Sequence, residues 1–324
     1  MKIELLHIHS VFNDALKSFI QKHEILFNSQ SWLQIYDDKQ IHQAILLNNN
    51  NEIIGCFIYY TFKKAAFKFL ITPPYAPHID LFFINPAESI VGKNTFEKEV
   101  SDTLATYFSQ LKFDYLNLNL PLNFVDTQPF IWSQFLSRNR FTYLINLKES
   151  EETLWNNLST EKRKSVKKAE KDELKIEETK DYQLILPLVL KSLSRNERAK
   201  NTHIIQNILL NFANVQNSFA YIAKNASGYL GATFCIIYQS KAIYLFGGFD
   251  TENKHHGAHV SCMWQSILHA KKLGLELFDF EGSMNKSIER YFREFGGEMK
   301  AYSCIEKIKP GLHVLLKLKG NMPV

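Results

Sequence analysis

Ala44-Ile-Leu-Leu-Asn-Asn-Asn-Asn-Glu-Ile-Ile-Gly55 decides the fold, because a matching stretch follows 176 residues later as Ala220-Tyr-Ile-Ala-Lys-Asn-Ala-Ser-Gly-Tyr-Leu-Gly231. Each stretch is an apolar run, a polar turn rich in Asn, Gly and Ser, and a second apolar run, which is the pattern of a β-hairpin. The register continues into a third apolar run, Ala66–Leu70 in the first copy and Ala242–Phe246 in the second. The sequence therefore predicts a three-stranded antiparallel meander that occurs twice.

A helix and one further strand are predicted after each meander. Apolar residues recur at helical spacing from Phe96 to Leu111 and from Val260 to Leu268, and the strands Tyr115–Leu120 and Leu277–Glu281 come next. Helical stretches also precede each meander. A strand, a crossover helix and a parallel strand form a right-handed unit with a ligand crevice at the carboxyl ends of the strands. We therefore predict a duplicated α/β domain.

Composition excludes several classes of protein. The chain has 324 residues, of which 45% are hydrophobic and 22% charged, so a disordered chain, a collagen and a coiled coil are excluded. The apolar run Tyr229–Tyr238 is about half as long as a membrane helix, and polar residues near the start are unlike a secretory signal. The four cysteines form no C-x-x-C pair. We expect a cytoplasmic protein without disulfides or an integral membrane segment, and the oligomeric state stays open.

Basic residues are concentrated in the second half of the chain. Residues 1–145 carry 12 basic and 13 acidic residues, whereas residues 146–324 carry 26 and 20. Arg163, Lys167 and Lys171 lie on one row of a predicted basic helix. Such a row is suited to a diphosphate or an RNA backbone, although an ordinary solvated helix face has the same composition.

The order of elements resembles two GNAT acyltransferase units in tandem, and thereby the FemAB-like family, which includes the Fem peptidoglycan aminoacyltransferases. The segment Phe278–Ser283 resembles the family pattern D-F-x-G-S, and Ile288–Gly297 resembles I-x-x-F-K-x-x-F-G-G. Three further segments resemble family motifs: Thr72–Tyr75, Thr142–Leu147 and Arg163–Lys171. The resemblance implies an α/β fold of two GNAT-like units, each with helices, an antiparallel meander, a crossover helix and a parallel strand.

The same resemblance implies how the chain is organised and what it does. Residues 1–145 would form a structural, acceptor-binding unit and residues 146–303 a donor-binding, catalytic unit, with 304–324 packing back on the first. The implied reaction is N-acyl or aminoacyl transfer to an amine, with a cell-envelope precursor as one candidate acceptor. The donor, acyl-CoA or aminoacyl-tRNA, would be a co-substrate, and no cofactor would be bound. The alternative is a non-catalytic or nucleic-acid-binding protein that kept the fold.

Two acidic residues near the end of the last predicted strand are candidates for catalysis. In a strand over 277–281, Asp279 and Glu281 share one face, where a carboxylate could orient an amine or accept its proton. A structural cap or ion pair is the alternative for both. Ser283 follows a glycine, so it could contact substrate or form the N-cap of the next helix.

Arginines in the second half are further candidates, and their roles depend on the resemblance. Arg293, which follows Phe292, is taken as the counterpart of the family lysine, with a role in stabilising the oxyanion or the donor phosphate, while Phe292 shapes the channel. Arg195 and Arg198 stand where the family places substrate-binding arginines. An exposed surface arginine and local ion pairs are the respective alternatives.

The segment Lys254-His-His-Gly-Ala-His259 stands where GNAT enzymes carry a Q/R-x-x-G-x-G/A loop, whose main-chain N–H groups hold the pyrophosphate of coenzyme A. The candidate donor contacts are Lys254, His256, Gly257, Ala258 and His259. The central glycine is present but the outer positions differ, so the sequence leaves the donor open. The histidines supply at most half a metal site, and we predict no metal.

Overall fold

The chain is described by a computed structural model that covers residues 1–6, 14–194 and 201–318. Contacts group the chain into two compact units. Unit 1 comprises Met1–Arg140 and Ala301–Val324, and unit 2 comprises Phe141–Lys300.

The elements are numbered along the chain. The first stretch of unit 1 contains β1 (Lys2–Leu6), α1 (Asp14–Lys22), α2 (Gln30–Leu33), β2 (Ile41–Leu47), β3 (Ile53–Lys64), β4 (Phe67–Ile71), β5 (Phe82–Phe83), α3 (Ile90–Gln110), β6 (Tyr115–Asn119) and α4 (Gln128–Trp132). There follow β7 (Leu136–Asn146), α5 (Glu151–Asn157), α6 (Thr160–Lys171), β8 (Lys175–Thr179), a 3-10 turn (Tyr182–Leu184), α7 (Leu186–Ser194), α8 (Thr202–Asn207) and a π-helical turn (Ile208–Phe212). The chain ends with β9 (Ser218–Asn225), β10 (Gly228–Tyr238), β11 (Lys241–Phe249), α9 (Ala258–Lys272), β12 (Leu277–Asp279), α10 (Lys286–Arg293), β13 (Glu298–Ile308) and α11 (Pro310–Leu318).

The sheet of unit 1 contains the first predicted meander. Strands β1, β2, β3 and β4 pair antiparallel in that order, and after the crossover helix α3 strand β6 pairs with β4 in parallel, with Ile71 opposite Asn117. The end of β13 lies antiparallel to β6, with Cys304 opposite Asn119. The predicted order of meander, helix and parallel strand is therefore confirmed, and the returning segment adds a strand to the sheet that the sequence did not predict.

The sheet of unit 2 repeats the same order. Strands β8, β9, β10 and β11 pair antiparallel, and β12 follows α9 and lies parallel to β11, with Ile243 opposite Asp279. On its other side β12 pairs antiparallel with β7, where Asp279 is opposite Leu144. Gly274 lies just after the end of α9. Its φ of +77° is in the left-handed region, a conformation for which glycine has no Cβ penalty.

Each sheet packs a crossover helix against one face. In unit 1 the fully buried Leu104 and Phe108 of α3 lie in one cluster with Leu116, and in unit 2 Met263 and Ile267 of α9 lie with Phe278. Alternate residues of each strand face the helix, because neighbouring residues point to opposite faces of a sheet. Within the described residues, no helix is both long and apolar enough to cross a bilayer.

The last strand of unit 2 is shorter than the sequence predicts. Strand β12 ends at Asp279 rather than Glu281. Glu281 and Gly282 both have positive φ, +58° and +73°, so the chain turns out of the sheet at this point. The predicted alternation of Asp279 and Glu281 along one strand face is therefore wrong.

Candidate functional site

Strands β11 and β12 separate at their carboxyl ends. They pair only along Lys241–Ile243 and Leu277–Asp279, while β11 continues to Phe249 beside β10. Beyond Asp279 the chain turns towards β7, where the Phe280 N–H donates to the carbonyl of Tyr143 at 3.2 Å. A parallel strand pair that parts in this way is where ligands of α/β sheets bind.

Two carboxyl groups lie at this strand end. The Thr142 hydroxyl donates to Asp279 Oδ1 at 2.6 Å, and the Glu281 N–H donates to the same oxygen at 2.8 Å. Burial raises the pKa of Asp279, and both hydrogen bonds oppose that rise. Burial, together with the nearby charge of Asp279, raises the pKa of Glu281 to about 8. The pair thus holds one carboxyl that gains and loses its proton near neutral pH.

Gly282 makes the turn possible. Its φ of +73° lies in the left-handed region, and a Cβ at this position would overlap the carbonyl oxygen of Phe141. Ser283 is half-buried, and its hydroxyl accepts a hydrogen bond from the Asn285 N–H at 3.1 Å. The N-cap of α10 is Asn285, whose side chain accepts from the N–H groups of Ser287 and Ile288. The predicted capping role of Ser283 is therefore wrong, and its contact with substrate stays a prediction.

Arg293 belongs to a different group of side chains. Its Nε lies 3.0 Å from Glu289 Oε1, and the Tyr143 hydroxyl donates to that oxygen at 2.6 Å. The Arg293 side chain is 60% exposed. The structure thus fixes one edge of the guanidinium and leaves most of it in solvent.

The three predicted catalytic residues do not form one cluster. Thr142 and Tyr143 are consecutive in β7, so they point to opposite faces of the sheet. Asp279 bonds Thr142, whereas Arg293 is connected to Tyr143 through Glu289. Asp279 and Glu281 are brought together, and Arg293 is not brought to them.

Phe292 lies in the core rather than along a channel. It is 6% exposed and stacks on Phe280 with ring centroids 5.2 Å apart. Counted back from Gly296-Gly297, the family pattern I-x-x-F-K-x-x-F-G-G places its lysine at Phe292 and its aromatic residue at Tyr291. The burial of Phe292 is against its predicted channel role, and no cation stands at the position of that lysine.

The predicted donor loop is closed by a helix. The Gly257 N–H donates to His255 Nδ1 at 3.1 Å, and the Ala258 N–H donates to the His255 carbonyl at 3.1 Å. Helix α6 packs directly on Gly257, because a Cβ there would overlap the carbonyl oxygen of Ser165. The N–H groups expected to hold a pyrophosphate are engaged within the protein, which is against that expectation for Gly257 and Ala258. Lys254 and His256, by contrast, are exposed.

His259 points inward, between two tyrosines. Its Nδ1 lies 2.6 Å from the Tyr291 hydroxyl and its Nε2 lies 3.3 Å from the Tyr244 hydroxyl. Burial, reinforced by the charge of Lys162, lowers the pKa of His259 to about 4, so the imidazole is neutral at pH 7. Both ring nitrogens of His259 thus have partners within the protein, and its contact with the donor stays a prediction.

Lys162, which is buried, completes this cluster, and sequence reasoning missed it. Its Nζ lies 3.5 Å from the ring centroid of Tyr291 and 3.4 Å from Glu294 Oε2. Burial lowers the pKa of Lys162 to about 8, although Glu294 opposes the shift. The signal was present in the sequence, because Lys162 shares a helical stripe with Val166 and Ala169, which are buried.

The basic face of α6 is largely paired. Lys164 lies 3.2 Å from Glu161 and Lys168 lies 2.7 Å from Asp172. Lys167 is exposed and remains available to an anion. Arg195 and Arg198 lie outside the described residues, so their predicted substrate contacts are not addressed by the structure.

Arg163 has a structural role that the sequence did not predict. Its guanidinium donates to the carbonyls of Asn156, at 2.8 Å, and Leu158, at 2.6 Å. These carbonyls belong to the end of α5, where cationic donors satisfy groups that the helix leaves unpaired. The arrangement is against the predicted role of Arg163 in substrate binding.

Arg163→Ala is expected to lower the free energy of unfolding by about 1–2 kcal/mol, because charge-assisted hydrogen bonds to two carbonyls are lost. Lys167→Ala on the same helix is the matched control and is expected to leave stability unchanged. Urea denaturation of the two variants measures both values. Equal stability of both variants and the unmodified protein would contradict the capping role.

Comparison with known proteins agrees with this architecture. Residues 191–293 match the model of the acetyltransferase (GNAT) domain family. Over 97% of this chain and 99% of that chain, the structure is similar to FemX, with a TM-score of 0.65 and 12% identity. The chain has the tandem GNAT fold. No curated protein matches the sequence significantly.

Two further structures share the tandem GNAT fold at low identity. A tandem GNAT protein from the clavulanic acid biosynthesis pathway matches with a TM-score of 0.52 and 8% identity, over 94% of this chain and 98% of that chain. The C-terminal domain of a putative lysylphosphatidylglycerol synthetase from Agrobacterium fabrum matches with a TM-score of 0.53 and 10% identity, over 94% and 95%. The predicted resemblance is confirmed at the level of the fold.

Proposed function

We propose that this chain is an N-acyltransferase that moves an acyl or aminoacyl group from an activated ester or thioester to an amine. The observation that carries the proposal is Glu281, whose carboxyl lies beside Asp279 where β11 and β12 part and whose pKa is raised to about 8. An amine must lose a proton when it attacks a carbonyl, and a base with a pKa near the working pH accepts it most effectively.

In the proposed reaction Glu281 takes and then returns one proton. The amine nitrogen attacks the donor carbonyl and passes its proton to the ionised Glu281. When the tetrahedral intermediate collapses, the bond to the leaving oxygen or sulfur breaks, and the protonated Glu281 supplies the proton to that atom. Asp279, held by the Thr142 hydroxyl, keeps a second charge nearby and thereby raises the proton affinity of Glu281. Arg293 lies in the separate group with Glu289 and Tyr143 and takes no part in this step.

Unit 1 is proposed to be the acceptor-binding unit. Strand β6 begins five residues after the last residue of α3, as β12 does after α9, so Asn117 and Asn119 correspond to Asp279 and Glu281. The amide side chains of asparagine form hydrogen bonds but do not change their charge near neutral pH. This difference supports catalysis in unit 2 and recognition in unit 1, with an amine of a cell-envelope precursor as the candidate acceptor.

For the donor we favour aminoacyl-tRNA over acyl-CoA. The amino end of α9 is covered by α6, and its first N–H groups are engaged by His255, so coenzyme A lacks its usual anchor. A phosphate backbone suits the exposed side chains here instead, because Lys254 and Lys167 are cations and His256 can donate a hydrogen bond. The closed loop also fits the alternative of a non-catalytic protein that kept the fold, and binding measurements separate the two.

Titration with uncharged tRNA is expected to raise the melting temperature of the full chain, and coenzyme A at millimolar concentration is expected to leave it unchanged. The tRNA affinity should fall steeply between about 50 and 200 mM salt, because each phosphate contact releases counterions. Thermal shift and calorimetry at both salt concentrations measure this. Stabilisation by micromolar coenzyme A would instead assign an acyl-CoA donor, and binding of neither would favour the non-catalytic alternative.

A further inference from the structure

Unit 1 contains a cavity of about 200 Å³ beside β5, which the proposed reaction does not use. Its walls are formed by β5, by residues 123–126 and by Glu97 of α3. Phe82 and Phe83 are consecutive in β5 and therefore point to opposite faces of the sheet, yet both line the cavity. The cavity thus borders the edge of β5 rather than one of its faces.

This edge of β5 carries backbone groups without partners. Strand β5 pairs with β3 alone, with Phe83 opposite Gly55, and the Ile84 N–H donates to the carbonyl of Ile54 at 2.8 Å. Hydrogen-bonded and non-hydrogen-bonded residues alternate along an antiparallel pair, so the N–H and carbonyl of Phe83 point away from β3. Neither group has a hydrogen-bond partner among the described residues. A free strand edge of this kind is a template for another extended chain.

Glu97 supplies an unpaired carboxylate to the wall of the cavity. Its side chain is half-buried, and no basic side chain in the described part of the chain forms an ion pair with it. The other carboxylate of the wall, Asp126, is neutralised by Lys98 Nζ at 2.7 Å. Phe83 and Phe124, whose ring centroids are 6.2 Å apart, line the same cavity. One uncompensated negative charge among aromatic rings favours a cation.

The size of the cavity distinguishes two kinds of ligand. Pockets for drug-sized molecules have volumes of about 300–1,000 Å³, whereas the smaller volume here suits a single long side chain. We propose that unit 1 binds an extended peptide, whose backbone pairs with the free edge of β5 at Phe83 and whose basic side chain enters the cavity to meet Glu97. This binding does not depend on the proposed chemistry of Glu281.

Calorimetric titration of the full chain with a capped pentapeptide, alanine-valine-lysine-valine-alanine, tests the proposal. The affinity is expected to fall about tenfold when norleucine replaces the lysine, because a charge-assisted hydrogen bond is lost. Glu97→Gln should bind the lysine peptide as weakly as the unmodified protein binds the norleucine peptide. Asp102→Asn is the matched control, because it removes an exposed carboxylate from the same helix, and it should bind as the unmodified protein does.

Hydrogen exchange at the Phe83 amide provides a second measurement. This N–H is unpaired in the free protein, so its exchange should become slower when the lysine peptide binds. Butylamine, which has the ammonium group but no peptide backbone, should bind more weakly and leave that exchange unchanged. Absence of binding by the lysine peptide, equal binding by Glu97→Gln, or unchanged exchange at Phe83 would overturn the proposal. Butylamine binding as tight as that of the peptide would overturn it in favour of a small amine. None of these measurements needs an acyl donor.

Discussion

Glu281→Gln is expected to reduce the rate of acyl transfer to an amine by about 10²–10⁴-fold, the usual contribution of a general base. The amide preserves size and hydrogen bonding but cannot take the proton. Glu276→Gln is the matched control, because that side chain is 50% exposed and pairs with Lys148 on the surface. Steady-state kinetics of both variants measure the effect, and turnover within about threefold of the unmodified enzyme would remove Glu281 from the mechanism.

The rate of acyl transfer should also depend on the protonation of Glu281. Because burial raises the pKa of Glu281 to about 8, kcat/KM should increase with pH up to about 8, as the carboxyl loses its proton. The contribution of Glu281 to stability should change with pH in the opposite direction. The folded state holds the Glu281 proton more tightly than the unfolded chain, whose value is 4.5, so this residue lowers stability as pH rises from 4.5 to about 8. Glu281→Gln should therefore be more stable than the unmodified protein at pH 8 and equally stable at pH 4.5.

Gly282→Ala is expected to lower the free energy of unfolding by about 3 kcal/mol or more. Two costs add: the positive φ of +73° disfavours a Cβ, and that Cβ would overlap the backbone oxygen of Phe141, which has no flexible end to move. The variant should also lose activity at temperatures where it stays folded, because the turn positions Glu281. Urea denaturation and activity at low temperature measure the two effects.

Gly274→Ala separates these costs. Gly274 also has a positive φ, +77°, but nothing lies within 4 Å of the Cβ that alanine would add. This control should lose only about 1 kcal/mol, the cost of the strained backbone. If both alanine variants lost the same stability, the overlap with Phe141 would play no part.

The fold could be predicted because its signals are local. Strand periodicity, turn composition and the recurrence of Ala44–Gly55 at Ala220–Gly231 all lie within short stretches. The site was harder to predict, since side chains distant in sequence decide it. Nothing near Asp279 in the sequence indicates that Thr142 bonds it, and nothing near Gly257 indicates that α6 covers it.

Local patterns also misled in specific ways. The basic row of α6 suggested an anion site, but Arg163 turns to the carbonyls at the end of α5, a contact that depends on how two helices meet. The strand predicted around Phe278–Phe280 was two residues too long, because Glu281 and Gly282 both take positive φ, which the alternation of side chains does not indicate. Lys162 shows the reverse case, in which a strict helical wheel would have placed an amine in the core.

The hydrogen-bonded row of Tyr244, His259 and Tyr291 has a direction. A neutral imidazole donates from one nitrogen and accepts at the other, so one of the tyrosines gives its hydrogen to the ring while the other receives one. Two arrangements satisfy both ring nitrogens, and they differ only in which way the three dipoles point. Reversing the row takes up no proton and changes no charge, yet it inverts the local field between β11 and α10. The tautomer of His259, which nitrogen NMR spectra can identify, therefore reports the direction of this row.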